Sequence, residues 1–142
     1  MAARYDTDAG QTVSNGDIIN FDSATFGYDS HSSVTTGASW KFTASVSGIY
    51  SVDPCITFND VAVLVGQRLQ LELFKNGTLI ATLDEHEVSV SGNFVISLHG
   101  STEIALDKGD YIDIRVGENV ASALSLVSAE EDNYISIHRI GF

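Results

Sequence analysis

Cysteine is nearly absent from this chain. Its 142 residues hold one, Cys55, so no intramolecular disulfide can form and the fold must be held by its core. A chain of this length buries about two-thirds of the surface its unfolded form exposes, which is enough without staples, and one domain over residues 1–142 is expected. Cys55 itself reads as a small apolar side chain in a strand. Basic residues are also scarce: seven Lys and Arg stand against nineteen Asp and Glu, a formal charge of −12. That charge repels phosphate backbones and anionic bilayers, so neither nucleic acid nor membrane is an expected partner. No run approaches the roughly 18 apolar residues of a membrane helix. The opening MAARYDTDAG has one Arg, no apolar centre and early acids, unlike an export signal. If the protein reaches the outside of anything, the expected route is lysis, assembly into a particle or later processing.

Reactive constellations are missing as well. His31, His86, His99 and His138 show no HxH or HxxxH spacing, and neither a GxSxG elbow nor a phosphate-cradling glycine loop occurs. In DEHE (84–87) a histidine lies between carboxylates, but strand alternation separates Asp84 and His86 from Glu85 and Glu87. The run Glu130, Glu131, Asp132 reads as a solvated loop, with a cation site as the alternative. No catalytic residue, cofactor or metal is expected.

What is present is a period of two. Strands are predicted over 39–45, 48–58, 68–75, 78–88, 93–106, 110–116 and 133–142, with weaker ones at RYDT and DIINFD. Asn76-Gly77 is the strongest turn signal, because a type I′ hairpin needs two residues tolerant of positive φ. Segments 23–37, 60–67 and 121–132 read as longer loops. About nine short strands without βαβ alternation predict an all-β antiparallel sandwich or jelly roll. In DYIDIRV, Ile112, Ile114 and Val116 share one face and Tyr111, Asp113 and Arg115 the other, the pattern of a sheet with one wet side. The last strand differs. Ile135 and Ile137 lie on one face, while Tyr134, His138, Ile140 and Phe142 lie on the other, so both faces need cover. A two-layer sandwich covers each sheet once. The second cover comes from a long loop or from another protomer, and the latter is favoured because the sequence ends at this strand.

The order of these signals resembles that of the complement C1q globular-head and tumour necrosis factor-like jelly-roll trimers. The resemblance rests on IINFD (18–22), FGYDS (26–30), TGASWKFTASVSGIY (36–50), LELFKNGTLI (71–80), ISLHGSTEIALDKGDYIDIRV (96–116) and NYISIHRIGF (133–142). It spans nearly the whole chain and rests on order rather than on any single motif. It implies a homotrimer. It also implies Phe42 and Tyr50 on adjacent strands, with Tyr50 directed to the core or the trimer axis. The trimer interface it suggests is Tyr50, Tyr134, His138, Ile140 and Phe142. A collagen-like stalk, typical of secreted complement-type proteins, is lacking.

Two functions fit. An acidic jelly-roll trimer with no shaft, export signal or disulfide resembles the decoration or cement proteins on bacteriophage capsids. That reading expects the major capsid protein as partner and the virion surface as location, after synthesis in host cytoplasm. The alternative is a receptor- or glycan-binding head, at a fibre tip or as a secreted ligand. It would use loops carrying Tyr28, His31, Val63, Leu64, Leu124 and Leu126.

Overall fold

A computed structural model describes residues 1–120 and 123–142. The strands, in chain order, are β1 (Ala2–Asp6), β2 (Thr12–Val13), β3 (Ser23–Asp29), β4 (Val34–Thr35), β5 (Lys41–Thr43), β6 (Gly48–Val63), β7 (Arg68–Lys75), β8 (Thr78–Glu87), β9 (Gly92–His99), β10 (Thr102–Leu106), β11 (Tyr111–Glu118), β12 (Leu124–Ser125) and β13 (Tyr134–Gly141). They form two antiparallel sheets, and no helix occurs among the described residues. The first runs β10-β6-β13-β1-β3 with β9 also on β6; the second runs β4-β5-β11-β7-β8; β12 and β2 form a small ribbon. This is the expected all-β antiparallel jelly roll.

Alternation decides which side chains meet between the layers. Leu69, Leu71 and Leu73 of β7 and Ile112, Ile114 and Val116 of β11 turn inward from one sheet. Val52, Ile56 and Phe58 of β6 and Ile135 and Ile137 of β13 meet them from the other. The aromatics of the TGASWKFTASVSGIY stretch belong to this core. Trp40 stacks edge-on against Phe21 at 5.3 Å and donates its indole N–H to the Phe21 carbonyl at 2.9 Å. Phe42 on β5 meets Tyr50 on β6 at 5.7 Å. Those strands lie in opposite sheets, not side by side as the resemblance implied, so the pair bridges the sandwich. Replacing a buried aromatic of this kind with Ala costs about 3–5 kcal/mol.

Several expected boundaries move. The strand expected to stop at Phe58 continues to Val63 through a bulge, in which Asn59 and Asp60 lie opposite Val95 and Asp60 takes φ 47. Residues 96–106 keep one register along β6, interrupted where Gly100 meets Pro54, and residues 92–94 are offset from it by the bulge. Gly100 donates to the Pro54 carbonyl, but proline has no N–H to return. Residues 23–29, expected as loop, form an edge strand against β1. IINFD is not a sheet strand: Ile18 makes one bridge to Arg115, and Ile19 donates to the Ile114 carbonyl. Ala121 and Ser122, which open the expected loop at 121–132, lie outside the described residues.

The Asn76-Gly77 turn forms as expected, with φ of 49 and 80. It is anchored to β11: Asn76 donates its backbone N–H to the Tyr111 carbonyl, its side-chain amide donates to Asp110, and its side-chain oxygen accepts from the Tyr111 N–H. Lys75 reaches Asp110 at 2.8 Å. The Lys75 ammonium, then the Asn76 amide and the Asp107 N–H, lower the Asp110 carboxyl to about 2. A folded value below the ordinary 3.8 stabilises the protein above about pH 4, and the effect is lost as pH falls toward 2. In Asp110→Asn, the urea midpoint should therefore fall less between pH 4 and pH 2 than in the parent chain. Parallel curves for the two proteins over that window would contradict this.

Candidate functional site

Among the described residues no three His, Cys, Asp or Glu side chains are placed to hold a metal ion. The four histidines are exposed and dispersed: His31 bonds Ser30, His86 lies across from Leu69, His99 across from Cys55, and His138 across from Ser51 and Ala2. Asp84 of the DEHE segment accepts N–H bonds from Glu85 and His99, which ties β8 to β9. Cys55 is half-buried between Tyr134 and His99, and burial, with the Asp132 charge behind it, pushes its thiol up, away from the nucleophilic thiolate.

What the molecule offers is apolar surface in three places. The first is the outer face of the six-stranded sheet. Tyr134 is half-buried there beneath the Arg4 guanidinium, 4.4 Å from its ring, and Arg4 also donates to Ser136 at 3.0 Å. Tyr28, across the ladder from Arg4, belongs to this face. His138 and Ile140 follow along β13, and Phe142 is wholly exposed beyond it, with Arg139 5.3 Å from its ring.

The second surface is the open side of the sandwich, where the edge strands β8 and β9 approach from different sheets. Leu79 and Ile80 on β8, and Phe94 and Val95 on β9, are all more than 40% exposed. An open groove of about 460 Å³ lies between the edges, lined by Val88, Val90, Phe94, Val95 and Ile96, with His86 at its rim. Exposed apolar groups on unpaired edges ask for a covering partner. These residues escaped the sequence reading. The signal was the run Leu79-Ile80-Ala81, which breaks the alternation that a strand with one dry face must keep.

The third is a tip. Leu64, Val65 and Val90 are each more than 60% exposed, on the β6–β7 and β8–β9 loops. Gly66 donates to Val88, Val88 to Gln67, and Val65 to the Ser91 hydroxyl, so the loops form one rigid knob. Met1 and Phe142 lie beside the opposite end of β6: the Tyr50 hydroxyl touches Met1 Sδ at 3.0 Å, and Gly141 pairs with Ile49. Sixteen residues of strand separate tip from termini, about 50 Å.

Four expected surface residues are corrected. Tyr50 is completely buried between the sheets of its own protomer and has nothing left for a neighbour. Val63, Leu124 and Leu126 are also core: Val63 points inward from the extended β6, and β12 folds Leu124 and Leu126 over the end of the sandwich. Leu64, Tyr28 and His31 are exposed.

Neither a protein-family model nor a curated protein matches this sequence. Solved structures do. The chain is similar to Eiger TNF from S. frugiperda, with a TM-score of 0.71 at 14% identity over 99% of this chain and 92% of that one. It is also similar to the globular domain of the zebrafish complement 1qA protein, at 0.68 and 15% identity over 98% and 96%. The fold is C1q/TNF-like. That agrees with the resemblance carried by the motif order, and at such identities it establishes fold alone.

Proposed function

We propose that this chain is a homotrimeric, non-enzymatic head that works by surface contact, and that it decorates and stabilises the outer surface of a bacteriophage capsid. The observation that carries this reading is that one protomer presents two apolar surfaces that do not overlap: the outer face around Tyr134, His138 and Ile140, and the β8/β9 edge around Phe94 and Val95, with Leu79 and Ile80 farther along β8. Two different patches favour a heterologous contact, edge on face, and three such contacts close a ring. Fully burying one aliphatic or aromatic side chain is worth on the order of 1.5–3 kcal/mol, so the exposed set can sustain a permanent assembly. Three knobs of Leu64, Val65 and Val90 then point from one end of the trimer. A shell with three-fold or quasi-three-fold positions meets all three alike, and the linked contacts add through multivalency. The major capsid protein is the partner in this reading, and the virion surface the location.

The same knob supports a second reading, a receptor- or glycan-binding head, because rigid loops mixing aliphatic and small polar residues suit recognition.

Phe94→Asp spoils the edge and Ile140→Asp the face. Each variant alone should sediment as a monomer, and an equimolar mixture should form a dimer, since one intact edge then meets one intact face. Both variants remaining trimeric would overturn the edge-on-face contact. For the capsid role, the chain should co-sediment with expanded, undecorated capsids and raise their melting temperature, and Val65→Asp should abolish both effects. No co-sedimentation together with selective binding on a glycan array would favour the second reading.

A further inference from the structure

An asparagine followed by glycine carries its own reactive chemistry. The glycine amide nitrogen can attack the asparagine side-chain carbonyl, because a residue without Cβ leaves the approach open and the backbone free to rotate. The chain has two such pairs, Asn15-Gly16 and Asn76-Gly77. At the first, the attacking nitrogen is itself engaged: the Gly16 N–H donates to the Val116 carbonyl at 2.8 Å, and Asn15 Oδ1 accepts from the Glu118 N–H at 2.9 Å. At the second, the restraint falls on the side chain.

Asn76 continues the β7–β11 ladder by one step. Its backbone N–H donates to the Tyr111 carbonyl at 2.9 Å, and its Oδ1, standing in for a backbone carbonyl, accepts from the Tyr111 N–H at 2.9 Å. The other half of the carboxamide, Nδ2, donates to Asp110 Oδ1 at 2.8 Å. Asp110 is fixed in turn, since its second oxygen takes Lys75 at 2.8 Å and the Asp107 N–H at 2.9 Å. Both polar atoms of the carboxamide are thus directed across to β11. Attack on Cγ needs that group swung back over the Gly77 nitrogen, which breaks both bonds. Asn76 and Gly77 are exposed, so water reaches the pair.

We propose that Asn76 is a site of spontaneous deamidation, gated by this clamp to β11. In the step, the Gly77 nitrogen bonds Asn76 Cγ, the Cγ–Nδ2 bond breaks, and Nδ2 departs as ammonia with the proton that the Gly77 nitrogen loses. The ring formed is a succinimide. Water then adds to one or the other of its carbonyls and opens it to aspartate or isoaspartate. Neither product restores the clamp. Aspartate has no N–H for Asp110 and sets one carboxylate against another, while Lys75 is already engaged by Asp110 and by the Ala105 carbonyl. Isoaspartate routes the main chain through Cβ, and a two-residue turn lengthened in that way cannot keep β7 and β8 in register. Opening of the turn is therefore recorded irreversibly, and the strand it displaces carries the exposed Leu79 and Ile80.

The test is peptide mass spectrometry at Asn76 during incubation of the full chain in mildly alkaline buffer, folded and in urea. Both carboxamide bonds, one of them to a carboxylate, must break before the folded chain reacts. Conversion of the folded parent should therefore be at least about tenfold slower than conversion in urea. Asp110→Ala should convert several-fold faster than the folded parent, and Asp110→Asn, which keeps an oxygen for the Asn76 amide, should lie between. Should Asp110→Ala fail to fold, Asp110→Asn carries the comparison. Asn76→Asp, one of the two products, should melt about 3 °C or more below the parent at neutral pH. Equal rates for the parent folded and in urea, folded Asp110 variants no faster than the parent, or an unchanged melting temperature in Asn76→Asp overturns the assignment.

Discussion

The inward faces of two short-stranded sheets have to close on one another, and β6 is where that closure is organised. Its sixteen residues run the length of the sandwich with β13 on one side and β9 and β10 on the other. From its inner face Tyr50 reaches Phe42 in the opposite sheet, and Val52, Ile56 and Phe58 fill the layer beyond. Because β6 is central, its irregularities propagate. Pro54 divides the partner strand into β9 and β10, and the bulge at Asn59–Asp60 carries the far end of the strand to the β6–β7 tip.

Closing the core leaves a remainder, and the proposed function grows from it. A sandwich has one interior, yet β13 carries large groups on both faces and β8 carries Leu79 and Ile80 in succession. Those groups lie on two different flanks of one protomer. A ring in which each flank covers the other's counterpart removes both exposures at once, whereas a two-fold pairing of either flank leaves the other wet. The tip continues the open edge at its far end, where Val90 also lines the groove, and Leu64 and Val65 stay free for a further contact.

The parts of this structure legible in the sequence were those governed by local rules. Asn76-Gly77 had to turn, since both residues accept positive φ, and DYIDIRV had to present Ile112, Ile114 and Val116 to a core. Ile135 and Ile137 were separable from Tyr134, His138 and Ile140 by parity alone. What escaped depended on non-local packing. Tyr50 and Phe42 are eight residues apart, and nothing local says that the chain changes sheets between them. Val63, Leu124 and Leu126 looked like loop residues because the bulge and the β12 fold that bury them are tertiary events. Residues 23–29, with Ser23, Gly27 and Asp29 among them, pass for a loop in the sequence, and only pairing with β1 makes them a strand.

Sedimentation equilibrium of the parent chain, from micromolar to nanomolar concentration, tests the central claim most directly. The account predicts a single species of three times the 15.2 kDa protomer mass that persists on dilution. A 15.2 kDa species throughout would show that the outer face and the open edge need no covering by copies of the chain, and the assembly would fall with them.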